Sequence, residues 1–315
     1  MNLPHQVGST LVLALSLALF ATGCRSSGSQ SNALDPDREI KPIGALVEST
    51  KKPESIGKFL ADTNSAIKAW NNLTIAAQTP AEQSRARDLE LHIQTVTHQR
   101  RSEIINELES GPLNNRIVAA AALGFTRDEE AQSPLLNALS DRHAEVVSSA
   151  LIGLWLLDRQ DTPVDRICPL LSSSNGEDVR SNAALLLARL CSGGKKYDCA
   201  LTMARVGVID PSPTVRAHCT MILAHQLDTD SLQALVDRLY DETGLVASAA
   251  ARALAHIGSS VAQSKGQAAR GLVKAWIATK DSKRKDVIFR AQVELAQSNY
   301  GSDEKEWIKW AERLP

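Results

Sequence analysis

The chain has 315 residues, with 35 Lys plus Arg against 36 Asp plus Glu and a formal net charge of −1. That balance excludes the global electrostatic footprint of a nucleic-acid binder or of a protein held on anionic lipid by charge alone. Hydrophobic residues make up 43% and aromatics only 4%, so a core must rest on Ala, Leu, Val and Ile, a composition that favours helices.

Residues 9–22 form an uncharged apolar run that closes in Ala21-Thr22-Gly23-Cys24. The run is shorter than the roughly 18–20 residues a membrane-spanning helix needs and has the form of a secretory leader. Its Gly-Cys ending resembles the lipobox of bacterial lipoproteins. The resemblance implies cleavage after residue 23, a covalent lipid on Cys24 and, because Arg25 rather than Asp follows, an outer-membrane location facing the periplasm. An ordinary secretory signal or an uncleaved anchor is the alternative, since no Lys or Arg precedes the run. Residues 24–54 then read as the lipidated cysteine and a polar tether with Pro36, Pro42 and Pro53, reaching about 30 Å as a flexible coil.

Residues 55–112 are expected to form N-terminal helices that cap the domain. Within them, 82–110 reads as one long helix with Leu89, Leu91, Ile93, Val96, Ile104, Ile105 and Leu108 turned inward. Beyond it the chain repeats itself. Taking Asn115, Val146, Val179, Val215 and Val246 as anchors, the separations are 31, 33, 36 and 31 residues. Small or apolar residues recur four, five and eight positions after each anchor, which is one face of a helix: Ala119, Ala120 and Leu123 in the first copy, Ala250, Ala251 and Leu254 in the fifth. Asp141, Asp210 and Asp241 precede their anchors by five residues, where a carboxylate is expected to accept free N–H groups at the helix start. An amphipathic segment precedes each anchor helix, for example Pro134–Leu139 and Leu232–Leu239, and a weaker sixth copy centres on Val287.

The Val179-Arg180 and Val215-Arg216 pairs, the doubled alanines and Leu123-Gly124 resemble HEAT-like repeats of the phycobilisome-lyase type. The resemblance implies an all-α fold: an α-solenoid of HEAT-like helix pairs over about residues 113–298, stacked because a two-helix unit cannot bury both faces alone. Residues 299–315 are expected to supply a C-terminal capping helix with Trp307, Trp310 and Leu314 on one stripe.

Four cysteines lie beyond Cys24. Export permits disulfides, and Cys191 and Cys199 flank a Gly-Gly turn, so they are the expected pair. Cys168 reads as mid-helix and too far from Cys191, and Cys219 reads as a small core residue. No spacing suits a metal, and no nucleophile elbow, phosphate loop or dinucleotide fingerprint occurs. Positions two, three, six and ten after each anchor point away from the core face, toward the inner groove of a solenoid. There stand Arg189, His218, His225, Arg252, His256 and Arg290, while the earlier repeats offer Ile117, Val118, Phe125, Ile152 and Leu156. Two readings stay open: a groove apolar at one end and cationic at the other, suited to a carboxylate-bearing peptide, or an apolar end covered by the N-terminal helices beside merely solvated charges.

The expectation is therefore a non-enzymatic, membrane-anchored envelope lipoprotein. Its solenoid would be a scaffold for an unknown protein partner, with no cofactor beyond the lipid on Cys24, no nucleic acid and no small-molecule substrate. A lyase-like enzyme on the same repeats, or a HEAT-type nucleic-acid binder, is the alternative.

Overall fold

The computed structural model describes residues 54–315; the leader, Cys24 and nearly all of the tether lie outside them. The described residues contain helices and turns and no strand. Two long helices begin the domain, α1 (Ile56–Ala76) and α2 (Pro80–Gln99). Thr79 and Glu82 form a reciprocal capping box at the start of α2, so two otherwise orphaned donors are satisfied. The expected long helix over 82–110 breaks at Arg100, and α3 (Arg101–Ser110) follows. Neither Pro nor Gly causes the break. Arg100 instead lays its guanidinium 4.5 Å from the Phe59 ring centre and pairs with Glu103, so contact with α1 fixes the backbone there. Leu91, expected inside, is 63% exposed, whereas Ile93 and Ile104 are fully buried.

The solenoid proper is a stack of helix pairs. In order these are α3 with α4 (Leu113–Phe125), α5 (Gln132–Ala138) with α6 (Ala144–Leu157), and a broken first element with α7 (Glu177–Cys191). Then come α8 (Asp198–Gly207) with α9 (Pro213–Gln226), α10 (Leu232–Arg238) with α11 (Gly244–Ser260), and α12 (Lys265–Ala278) with α13 (Ser282–Ala296). The last helix is α14 (Glu304–Glu312). The second helices α4, α6, α7, α9, α11 and α13 lie side by side in chain order. The latter half of the expected N-terminal cap, α3, is thus the first helix of the first repeat.

The doubled-alanine positions explain the close stacking. From Ala119 to Leu254, every residue four, five or eight after an anchor is 0–1% exposed. Small side chains there let helices approach until backbones touch. A Cβ on Gly124 would stand 2.5 Å from the Gly153 carbonyl oxygen, and one on Gly153 would overlap the Ala120 carbonyl. In the third repeat, Pro163 and Pro169 leave two 3-10 turns, Val164–Arg166 and Cys168–Leu171, instead of a first helix, since proline removes a donor and crowds the preceding turn.

Both ends are closed. At one, Trp70 of α1 meets Phe125 of α4 edge-on at 5.0 Å. At the other, Trp307 of α14 is fully buried, edge-on to Phe289, Tyr300 and Trp310. The aromatic stripe of the last helix is core cover.

Candidate functional site

The arginine one residue after the anchor organises the joints between repeats. Arg116 binds Asp141 at 3.0 Å, Arg180 binds Asp210 through two bonds of 2.8 Å, and Arg216 binds Asp241 through two of 2.9 Å. Each pair joins a second helix to the turn of the next repeat. The same guanidiniums reach back to carbonyls ahead of their own helices, at Gly111, Asn175, and Asp210 with Pro211. Each aspartate also accepts the amide two residues on, from His143, Ser212 or Thr243. Those three are the N-cap residues, so the expected capping role moves from the first helical turn to the turn before it. Burial alone would raise the Asp241 carboxyl; the bonds from Arg216 and Thr243 outweigh it and hold the group below the usual carboxylate range.

Where the arginine is missing, so is the aspartate. Val147 stands one after its anchor and Ser174 five before the next; Ala247 and Ser282 repeat the pattern. The pairing spans about 25–30 residues, and its sequence signal is the joint presence or absence of the two residue types in adjacent repeats rather than a pattern within one helix.

The groove residues divide. Arg189 is not an open cation: its Nε lies 2.6 Å from Asp158 and its guanidinium sits 4.7 Å from the Trp155 ring centre. His218 is 3% exposed and belongs to the packing between helices. Burial pushes its imidazole down to about 4, against a raising hydrogen bond with the Ser181 backbone, and its Nδ1 has no partner. Neither position lines an open groove, contrary to expectation. Their helical phase is as expected, but neighbouring second helices pack closely enough to fill that side of the stack. Ile152, Leu156 and Leu185 at equivalent positions are likewise 2–9% exposed, and Phe125 lies against α1. The apolar end is covered.

What stays accessible is a strip on α9, α11 and α13. His225 is half-buried, and Arg252, His256 and Arg290 are exposed. The His225 and His256 rings, ten positions after consecutive anchors, stand 6.5 Å apart at 67°. Burial, with the neighbouring His256 second, lowers the His225 imidazole below its ordinary value. The strip carries imidazole and guanidinium groups, residue types whose N–H donors suit an anion.

The cysteines pair differently from expectation. Cys199 bonds Cys168, with Cα atoms 6.0 Å apart, and Cys191 is a buried free thiol. Cys168 sits in a 3-10 turn rather than mid-helix. The first elements of consecutive repeats lie next to each other, which places Cys168 beside α8. Burial raises the Cys191 thiol to about 11, partly offset by Gln226 and Lys196, and raises Cys219 as well. Neither free thiol is an activated thiolate. Among the described residues, no group of three or more His, Cys, Asp or Glu is placed to hold a metal.

Residues 203–291 match the profile of the family described as HEAT repeats. Among solved structures, a designed armadillo repeat protein is 17% identical at a TM-score of 0.48, covering 61% of this chain and 98% of its own. An engineered protein is 18% identical at 0.48, covering 63% and 97%. The complex of CpcE and CpcF of phycocyanin lyase from Nostoc sp. PCC7120 is 19% identical at 0.42, covering 67% and 93%. No curated protein matches. The chain is a HEAT-like helical-repeat protein, and its fold is an α-solenoid.

Proposed function

We propose that this chain is a lipid-anchored scaffold of a bacterial envelope that holds a protein partner on the strip formed by His225, Arg252, His256 and Arg290. The observation that carries the reading is the contrast within the stack. Six and ten positions after the anchor, Ile152, Leu156 and Leu185 of the earlier second helices are buried and Arg189 is tied to Asp158, whereas His225, Arg252 and His256 of α9 and α11 are half-buried or exposed, as is Arg290 of α13. Such groups bind planar anions, Arg by two parallel hydrogen bonds, so the partner segment carries carboxylates. A HEAT-like scaffold is suited to this, because stacked repeats make an extended surface.

Anchoring rests on Cys24 and the lipobox-like ending before it. The Cys168–Cys199 disulfide supports an oxidising compartment such as the periplasm. Cys168 is bonded and Cys219 is buried, which supports a binding role over a lyase-like reaction through either thiol.

The test uses photo-crosslinkers at Arg252 and His256, with the exposed Leu91 on α2 as control. Crosslinks to one envelope protein from the strip, lost on Arg252→Glu, are expected. Crosslinks from Leu91 alone would remove the strip from the account. In the same cells Cys24→Ser should shift the chain from the membrane to the soluble fraction and abolish fatty-acid labelling. If it stays membrane-bound, the anchor is not that cysteine.

A further inference from the structure

The turns between first and second helices carry a feature that neither the core nor the strip accounts for. Ile209 is 69% exposed, Tyr240 48% and Val206 66%. Ile209 and Tyr240 both stand six residues before an anchor, in consecutive repeats. The same position holds Glu109, Ser140, Ser173 and Asp281 in the other repeats. The fold therefore tolerates a polar residue there and has no packing use for an apolar one. Exposed large apolar groups that cluster, rather than scatter, mark binding surfaces.

The two side chains flank one shallow groove, lined also by Asp210, Pro211, Arg216, Asp237, Arg238, Asp241 and Glu242. Consecutive repeats are spaced by about 8–10 Å, the interaxial distance of packed helices, close to the roughly 7 Å between same-face side chains of an extended strand. The charges are lopsided. Arg216 and Arg238 both turn inward to Asp241, and Asp210 is held by Arg180. Asp237 is exposed and accepts from Gln233 Nε2 at 2.9 Å, and Glu242, though 3.3 Å from Arg216 Nη2, keeps 80% of its side chain exposed. The rim that a ligand meets is thus anionic around two apolar knobs, whereas the strip on the second helices carries imidazole and guanidinium groups.

We infer that the edge formed by Ile209, Tyr240 and Val206 with Asp237 and Glu242 is a second docking surface, for an extended protein segment that alternates apolar and cationic side chains. The apolar groups of that segment lie against Ile209 and Tyr240. Its Lys or Arg groups reach Asp237 and Glu242, where charge-assisted bonds form at the solvated rim. Two surfaces of different chemistry on one stack would let the chain bridge two partners. This inference is independent of what the strip binds.

The experiment selects 12-residue peptides from a random display library on the full-length chain, counter-selected on Ile209→Ser/Tyr240→Ser. The affinities of synthetic copies are then measured by fluorescence anisotropy. Net-positive peptides with paired apolar residues should be enriched. Their affinity should fall at least tenfold in Ile209→Ser/Tyr240→Ser and in Asp237→Lys/Glu242→Lys, and stay unchanged in Leu91→Ser, an exposed apolar residue of α2. All positions are solvent-facing, and circular dichroism melts check that each variant folds; the charge reversal decides should the apolar pair fail. Absence of enrichment, enrichment of acidic peptides, or affinity that survives either double substitution overturns the inference. Sedimentation showing that the wild-type chain self-associates and Ile209→Ser/Tyr240→Ser does not would also overturn it, by making the edge an interface between copies.

Discussion

Two joints of the same stack are held in different ways. Between the fourth and fifth repeats, Arg216 and Asp241 are 7% and 3% exposed in their side chains and bond each other at the solenoid's edge. Between the second and third, Val147 and Ser174 occupy those positions. There the link runs through the interior, from Asn182 Nδ2 to the Ser148 hydroxyl at 2.8 Å, and at the far end through Arg189 to Asp158. Both joints bury the same doubled-alanine surface. Apolar burial therefore supplies the adhesion at every joint, and the polar link sets how each repeat sits on the last. A buried ion pair is a weak source of net stability, because desolvation offsets most of the attraction, but removing one partner leaves an uncompensated charge.

The sharpest break of this comparison is Asp241→Ala. It removes the bidentate partner of Arg216, leaving that guanidinium Glu242 at 3.3 Å and two backbone carbonyls, and removes the acceptor for the Thr243 amide; it should cost about 3 kcal/mol in urea denaturation. The double change Arg216→Val/Asp241→Ser copies the unclamped joint and should cost clearly less than the single one. Equal losses would show that the pair acts independently of its partner.

His218, at the joint between the third and fourth repeats, sharpens the picture by pH. Burial lowers its imidazole to about 4, so the folded state disfavours the protonated form. The sign follows: the contribution is whole above the unfolded value near 6.5 and is lost as pH falls toward 4, because the unfolded chain binds the proton first. The wild type should lose roughly 3 kcal/mol over that window beyond the loss shown by His218→Gln. Parallel stability curves for the two proteins would mean that His218 does not feel this burial.

The smallest effects concern glycine. Gly153→Ala drives a Cβ into the Ala120 backbone and should cost about 1–3 kcal/mol as overpacking. Gly244→Ala meets nothing within 4 Å and should stabilise by about 0.4–1 kcal/mol through the unfolded chain. Thermal melts of the two variants should move in opposite directions.

The aspect of the molecule most legible in sequence is the repeat. A helix returns a side chain to the same face every three to four residues, so the positions after each anchor told which side is buried, and all fifteen doubled-alanine and leucine positions from Ala119 to Leu254 are. The tertiary structure decided everything that depends on distance between helices. It chose Cys168 over Cys191 as the partner of Cys199, broke the N-terminal helix at Arg100, and buried His218 while leaving His256 in solvent. The physical reason is that periodicity records direction around one axis, whereas a disulfide, an ion pair or an open surface depends on how closely the next axis approaches.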